Sequence, residues 1–362
     1  MHHIIILSQE PNETRGISRY VIINNSHRPL DLHYITLHLS VHKIMIHILG
    51  VGSIGSLLAT ELCVKHSVRL IMRSKTLERF TKASKSTIKI HNLRDSVTYT
   101  NTFPAATAFD LGGPIEKLIL TVKAYDIHSA LNNLKNYITP KTEILIMHNG
   151  MGVDRIVKGL WKESEKPQIA YGISRAGVAR NGPTWDFRYT GNGTNIITHP
   201  PGSHTQLAGI LTNSSNYVYS EYLDYPKFVA EQQVKLIINS VTNPLTALLE
   251  CENGRLLELD EHMSLIKALV HEGCKTFGRM SEYENIYNTV VSVLEKTAKN
   301  RSSMLSDVEL GRPSEIDFIN GYIVDQAKTQ NKFASYNWML QKLIPMRTKQ
   351  VKYDLENVIP YV

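Results

Sequence analysis

Met45-Ile46-His47-Ile48-Leu49-Gly50-Val51-Gly52-Ser53-Ile54-Gly55 is a β-type run that closes in G-x-G-x-x-G. Ser56-Leu57-Leu58-Ala59-Thr60-Glu61-Leu62 continues it at once as a helix-forming run. In a strand–turn–helix the glycines have separate duties. Gly50 permits the tight turn, Gly52 lets backbone approach a pyrophosphate, and Gly55 lets the helix pack close to the strand. The helix N-terminus then presents free N–H groups and a partial positive charge to the phosphates. Strand and helix are both present, so Gly50, Val51, Gly52, Ser53, Ile54 and Gly55 are expected to hold a dinucleotide. The competing reading is a structural turn.

The next apolar run, Ser67-Val68-Arg69-Leu70-Ile71-Met72-Arg73, bears on which dinucleotide. An NAD site places Asp or Glu about 20 residues past the glycines to accept from the ribose 2′-OH. Here the run ends in Arg73-Ser74-Lys75, without an acid. Arg73 stands where the acid would, with Lys75 behind it, and suits a 2′-phosphate through charge-assisted contacts. The cofactor expected is therefore NADP (NADPH), against the plainer reading of a solvated basic turn.

Outward from this stretch, strand and helix signals alternate to about residue 190, the pattern of a parallel sheet with helices on its faces. Lys117-Leu118-Ile119-Leu120-Thr121-Val122 and Glu143-Ile144-Leu145-Ile146-Met147 read as buried strands. Glycine-punctuated strand signals near 169–172 and 193–197 extend the sheet. A Pro200-Pro201-Gly202 turn then leads to a helix and a short strand near Val218. After about Pro226 the period is helical, over 227–243, 260–280, 286–299 and 315–328. Ser314 before Glu315, with Asp317 three residues on, reads as a helix cap. The fold class expected is α/β: an N-terminal Rossmann-type dinucleotide-binding domain followed by an all-α C-terminal domain. The boundaries read as a leader over 1–44, a nucleotide domain over 45–225, a helical substrate and catalytic domain over 226–350, and a tail over 351–362.

Composition bounds the class. At 362 residues the chain can build two domains with cores of their own. No stretch approaches the ~20 apolar residues that span a bilayer, which argues against a membrane protein. Cys63, Cys251 and Cys274 are scattered and form no C-x-x-C pair. That favours a reducing compartment and offers no metal cluster. The net charge of +7 is spread along the chain. It suits anionic ligands in general and does not by itself argue for nucleic acid. The leader is distinct, with six of the fifteen histidines. It carries Arg15, Arg19 and Arg28 but also Glu10, Glu13 and Asp31, unlike an acid-poor transit peptide. It reads as a disordered extension or a start-site artefact, with organellar targeting as the alternative.

Three constellations can carry chemistry. Lys123 follows a strand whose carboxyl end lines the ligand crevice of a doubly wound sheet, although a surface lysine is the cheaper account. His148-Asn149-Gly150-Met151-Gly152 also follows a strand, and suits backbone passing close to a nicotinamide or substrate. Its plainer reading is a glycine turn. In the run from Lys235 to Pro244, Lys235, Asn239 and Asn243 recur every four residues on one helix stripe. Asparagine is a poor interior helix former. Two asparagines and a lysine beside Leu236, Ile237, Ile238 and Val241 therefore point to a pocket wall rather than a solvated face.

Together these motifs resemble the ketopantoate reductase (2-dehydropantoate 2-reductase) family. The resemblance runs from Met45 to about residue 350 and adds Ser302-Ser303-Met304-Leu305 and Glu315-Ile316-Asp317-Phe318-Ile319-Asn320-Gly321 to the segments above. It implies NADPH-dependent reduction of 2-dehydropantoate to pantoate, within pantothenate and coenzyme A biosynthesis. It implies Lys235 as general acid to the C2 oxygen, with Glu315 holding and polarising that region. Asn239 and Asn243 would grip the hydroxyl end of the substrate. Ser303 and Asn149 would place the carboxylate and the lysine, with Asn149 also on the cofactor side, and Arg73 and Lys123 would contact NADPH. The departures are the leader, an elaborated stretch from Gly177 to Asn195, and Gln233 where the family commonly has tryptophan.

Two other functions compete: reduction of a different 2-oxo acid by the same lysine, and a non-catalytic regulatory protein, RNA-associated in an organelle, that reuses the fold. The partner expected is a small-molecule 2-oxo acid, with neither nucleic acid nor membrane, in a cytoplasmic (alternatively mitochondrial) monomer or homodimer.

Overall fold

The computed structural model describes residues 4–6, 20–22, 44–190, 193–214 and 218–357. The chain divides into two compact units, Met1–Ile44 and Met45–Val362. In the first, β1 (Ile4–Ile6) pairs antiparallel with β2 (Tyr20–Ile22). The expectation of a disordered leader otherwise falls outside the described residues. Everything below concerns the second unit.

That unit opens with β3 (Met45–Leu49), α1 (Ser53–Leu62), β4 (Ser67–Ile71) and α2 (Ser74–Ser84). The hairpin β5 (Thr87–Asn92) and β6 (Val97–Thr102) follows, then β7 (Ala105–Ala106), β8 (Lys117–Leu120), α3 (Ile127–Asn133), β9 (Glu143–Met147) and α4 (Val153–Lys158). The lobe is completed by β10 (Gln168–Ser174), β11 (Val178–Arg180), β12 (Asp186–Tyr189), β13 (Thr194–Thr198), α5 (Gln206–Thr212) and β14 (Tyr219–Tyr222). The main sheet has the order β14-β13-β10-β9-β8-β3-β4-β7. It is parallel from β7 to β10, and β13 enters antiparallel to β10. Its central strands are apolar on both faces, as a sheet covered by helices requires: Ile46, Ile48, Leu118, Ile119 and Leu120 are all fully buried. Strand order reverses beside β3, so the crevice for a ligand opens at its carboxyl end, where the glycine loop sits.

A smaller sheet, ordered β11-β12-β5-β6, carries the elaborated stretch of sequence. It buries Trp185 against Phe80 of α2, edge-on at 5.0 Å. The Trp185 indole N–H donates to the Val51 carbonyl at 2.9 Å, which bonds this second sheet to the glycine loop.

The second lobe is helical: α6 (Tyr225–Leu249), α7 (Asp260–Thr276), α8 (Tyr283–Lys296), α9 (Ser303–Val308), α10 (Ile316–Thr329) and α11 (Ser335–Asn357). α11 runs into the segment read from sequence as a tail. The long α6 carries Pro244 in its interior. A proline has no N–H for the carbonyl four residues back, here Ser240. The buried Asn320 of α10 supplies the missing donor, with Nδ2 at 2.9 Å from the Ser240 carbonyl and 3.0 Å from Asn337 Oδ1 of α11. The cap expected of Ser314 is not formed. Glu315 occupies the N-cap position of α10 and its carboxylate reaches across to the first lobe instead.

Candidate active site

The glycine loop has the shape its spacing implies. Gly50 has φ +101°, and a Cβ there would stand 2.5 Å from the Val122 nitrogen. A Cβ on Gly55 would overlap the Gly50 carbonyl, whereas one on Gly52 would meet nothing within 4 Å. The first and third glycines are thus needed for protein packing. The second leaves open space in front of the N-terminus of α1, which begins at Ser53 with Gly52 as its N-cap and Ile54 in its first turn. That cradle fits a pyrophosphate.

Arg73 caps α2 at the next strand end, with its guanidinium largely exposed and 2.7 Å from Asp126 Oδ2. A 2′-phosphate arriving there would exchange with a carboxylate rather than with water alone. Lys123, after β8, points into the cleft between the lobes. Its Nζ lies 2.7 Å from Asp307 Oδ2 and 3.5 Å from Glu315 Oε2. Burial acts to lower the Lys123 pKa, but Glu315 and Asp307 outweigh it and hold the ammonium above the ordinary lysine value.

Asn149 stands between the two lobes. The turn that carries it is docked on α10: the Met151 N–H donates to the Phe318 carbonyl at 2.8 Å. Gly150, with φ +86°, leaves no room for a Cβ against Phe318. Asn149 Oδ1 accepts from Lys235 Nζ at 3.1 Å, and its Nδ2 donates to Glu315 Oε2 at 3.3 Å. Lys235 also donates to the Ser174 carbonyl at the end of β10, at 2.8 Å. Glu315 is only 4% exposed, and its Oε1 accepts from the Ala124 N–H at 3.1 Å. One connected path therefore runs Lys235–Asn149–Glu315–Lys123–Asp307 across the cleft.

Burial pulls the Lys235 pKa down, Glu315 pulls it back up and Arg175 pushes it down again, leaving it at about 8. Taking a proton off this ammonium is thus easier than off a free lysine, which suits an acid working near neutral pH. His148 lines the same narrow cavity as Lys235, Gln232 and Asn239. Burial first, and then the Lys235 charge, push the His148 imidazole down to about 3, so it is neutral beside the lysine.

Asn239 shares that cavity wall one turn on from Lys235, and Asn243 follows at the next turn. Among the described residues, neither side-chain amide makes a hydrogen bond, so both are free to serve a ligand. Ser303 opens α9 with its side chain exposed and is not joined to the path. Its neighbour Ser302 is the buried one, capping α9 and accepting from Thr246 at 2.7 Å. Sequence reading missed Asp307, Ser174 and Trp185. Asp307 is 184 residues from Lys123 and the Ser174 carbonyl 61 from Lys235, and no local pattern marks either pairing.

A glycine loop at the switch point of a doubly wound sheet faces a helical lobe that offers a lysine of lowered pKa. That arrangement is a two-lobed, dinucleotide-dependent oxidoreductase. The chain belongs to the ketopantoate reductase family: the family model for ketopantoate reductase PanE/ApbA matches residues 46–202, and that for its C-terminal part matches 227–348. A protein of Schizosaccharomyces pombe described as a probable 2-dehydropantoate 2-reductase is 31% identical over 339 residues, which cover 83% of this chain and 96% of that protein. The crystal structure of a probable 2-dehydropantoate 2-reductase from Bacillus subtilis matches with TM-score 0.68 at 26% identity, over 84% of this chain and all of the other. A D-mandelate dehydrogenase solved with NADH and anilino(oxo)acetate matches with TM-score 0.75, over 85% of this chain and all of the other. At 19% identity, that likeness speaks for the fold. Among the described residues, no helix is long and apolar enough to cross a membrane.

Proposed function

We propose that this chain reduces 2-dehydropantoate to pantoate with NADPH. The observation that carries the reading is Lys235, held by Asn149 and the Ser174 carbonyl at the cleft with its pKa brought to about 8. The glycine loop and the N-terminus of α1 would hold the pyrophosphate, and Arg73 the 2′-phosphate, with Lys123 on the same side of the cleft. The nicotinamide, when bound, supplies hydride to the substrate carbonyl carbon.

Every other duty falls to side chains. Lys235 Nζ gives a proton to the C2 oxygen as negative charge gathers there, and its own charge stabilises the developing alkoxide. The amine left behind regains its proton from solvent. Asn149 fixes the direction of the Nζ donors by accepting one of them, and Glu315 fixes Asn149 by accepting from its amide. Asn239 and Asn243 offer uncommitted amides to the substrate hydroxyl, and Ser303 is assigned to its carboxylate. The preference for NADPH over NADH rests on Arg73 and Lys75 and on the lack of an acid at the end of β4.

The test is oxidation of NADPH by the purified protein in the presence of 2-dehydropantoate, beside Lys235→Ala. Turnover should fall by a factor of roughly a hundred or more in the variant, the usual span for a lost general acid. Near-normal turnover would move the acid elsewhere, and wild-type protein inert toward this and other 2-oxo acids would end the enzymatic reading.

A further inference from the structure

We propose that Arg79, Arg180 and Arg312 form a basic clamp, drawn from both lobes, that takes phosphate oxygens of the bound dinucleotide. The inference rests on the dinucleotide reading above and adds residues that no glycine or strand-end motif points to.

Arg180 ends β11 and is held over two aromatic rings, 4.8 Å from Trp185 and 5.2 Å from Phe187. Trp185 is almost fully buried and donates its indole N–H to Val51 of the glycine loop. The guanidinium therefore rides on a platform bonded to the loop that faces the pyrophosphate. Arg79 comes from α2, immediately before the Phe80 that packs on the same indole, and its Nη2 donates to the Pro183 carbonyl at 3.4 Å. Arg312 comes from the other lobe, in the turn between α9 and α10. The Asp307 carbonyl takes its backbone N–H at 2.9 Å. The Tyr125 hydroxyl donates to the next carbonyl, that of Pro313, at 3.2 Å, which seats this turn against the segment following β8.

The three charges feel one another. Burial lowers the Arg180 pKa first, and the Arg79 and Arg312 charges then lower it further. Among the described residues none of the three has a carboxylate partner, whereas the nearby Arg73 is paired with Asp126. Isolated surface arginines are ordinarily just solvated. Three from separate parts of the chain, none with a carboxylate partner among the described residues, offer a basic surface suited to an anion. The planar guanidinium fork matches phosphate oxygens in particular.

Both the pyrophosphate and a 2′-phosphate have this chemistry, and two cofactors separate them. NADPH and NADH would be titrated calorimetrically into the full chain, using wild type, Arg79→Gln, Arg180→Gln, Arg312→Gln and, as a charge control, the exposed Lys349→Gln of α11. Each clamp variant should raise Kd about tenfold, the scale of one hydrogen bond to a charged group, and should flatten its dependence on salt. Lys349→Gln should match wild type. Equal weakening for the two cofactors assigns the clamp to the pyrophosphate, and weakening confined to NADPH assigns it to the 2′-phosphate. Among the described residues Arg312 lies over no aromatic ring, so its variant decides the matter if Arg180→Gln disturbs the Trp185 platform. Wild-type Kd for both cofactors in Arg312→Gln and Arg79→Gln would overturn the clamp. Wild-type protein that binds neither cofactor would instead bring down the dinucleotide reading itself, and the clamp with it.

Discussion

Lys235, as the general acid proposed above, should set the pH range over which the chain can work. A general acid must carry its proton, and burial has brought this ammonium down to about 8 against the opposing pull of Glu315. For reduction, kcat/KM should therefore be level below that value and fall as pH rises through it. The reverse oxidation needs the free amine and should rise over the same interval. Glu315→Gln removes the charge that holds the pKa up, so the break should move to lower pH. It should also leave Lys123 with Asp307 alone. A pH–rate profile checks this, and a break unmoved by the substitution would mean that another group is the acid. Arg73 has its own signature. Arg73→Ala should raise Kd for NADPH well beyond that for NADH if, as proposed, the guanidinium serves the 2′-phosphate that only NADPH carries. Equal weakening of both would make Arg73 a structural partner of Asp126 and no more.

At the scale of elements, the sequence was legible where the physics is local. The G-x-G-x-x-G turn, the strands that follow it and the lysine–asparagine stripe of α6 depend on residues within a few positions of one another. Their forms agree with the spacing. What could not be read is what distance in the chain conceals. The smaller sheet joins β5 to β12 in parallel, placing Lys89 opposite Asp186. Neither strand announces the other. α11 has Pro345 in its interior and only three buried residues, Asn337, Leu340 and Ile344, so its periodicity is faint. The joint at Pro244 is of the same kind, because the donor that serves Ser240 sits 80 residues away on Asn320. It yields a stability prediction. Asn320→Ala would leave the Ser240 carbonyl buried without a donor and remove the link to Asn337. The expected destabilisation is about 2 kcal/mol, within the usual cost of stranding a buried polar group. Denaturant unfolding would show it as an earlier midpoint with the slope unchanged. A midpoint equal to wild type would mean that the carbonyl finds another partner.

For the molecule as a whole, the joined lobes are the functional object. The glycine loop and Arg73 belong to the sheet, Lys235 and Glu315 to the helices, and Asn149 and Lys123 tie them together. Lys235, Asn149, Glu315 and Lys123 are each held by partners from across the lobes. Each lies inside the compact unit Met45–Val362, and both family models match within it. Two of its core clusters lie there too: one gathers Leu118, Ile146 and Phe228 around the sheet, and another gathers Leu236, Ile319 and Ile344 among the helices. A chain started at Met45 should therefore fold cooperatively, keep the thermal midpoint of the full chain within a few degrees and bind NADPH with the same Kd. Thermal unfolding and calorimetric titration of the two chains side by side measure this. If the shorter chain fails to fold, residues 1–44 supply part of the core. If it folds but binds NADPH more weakly, they contribute to cofactor binding.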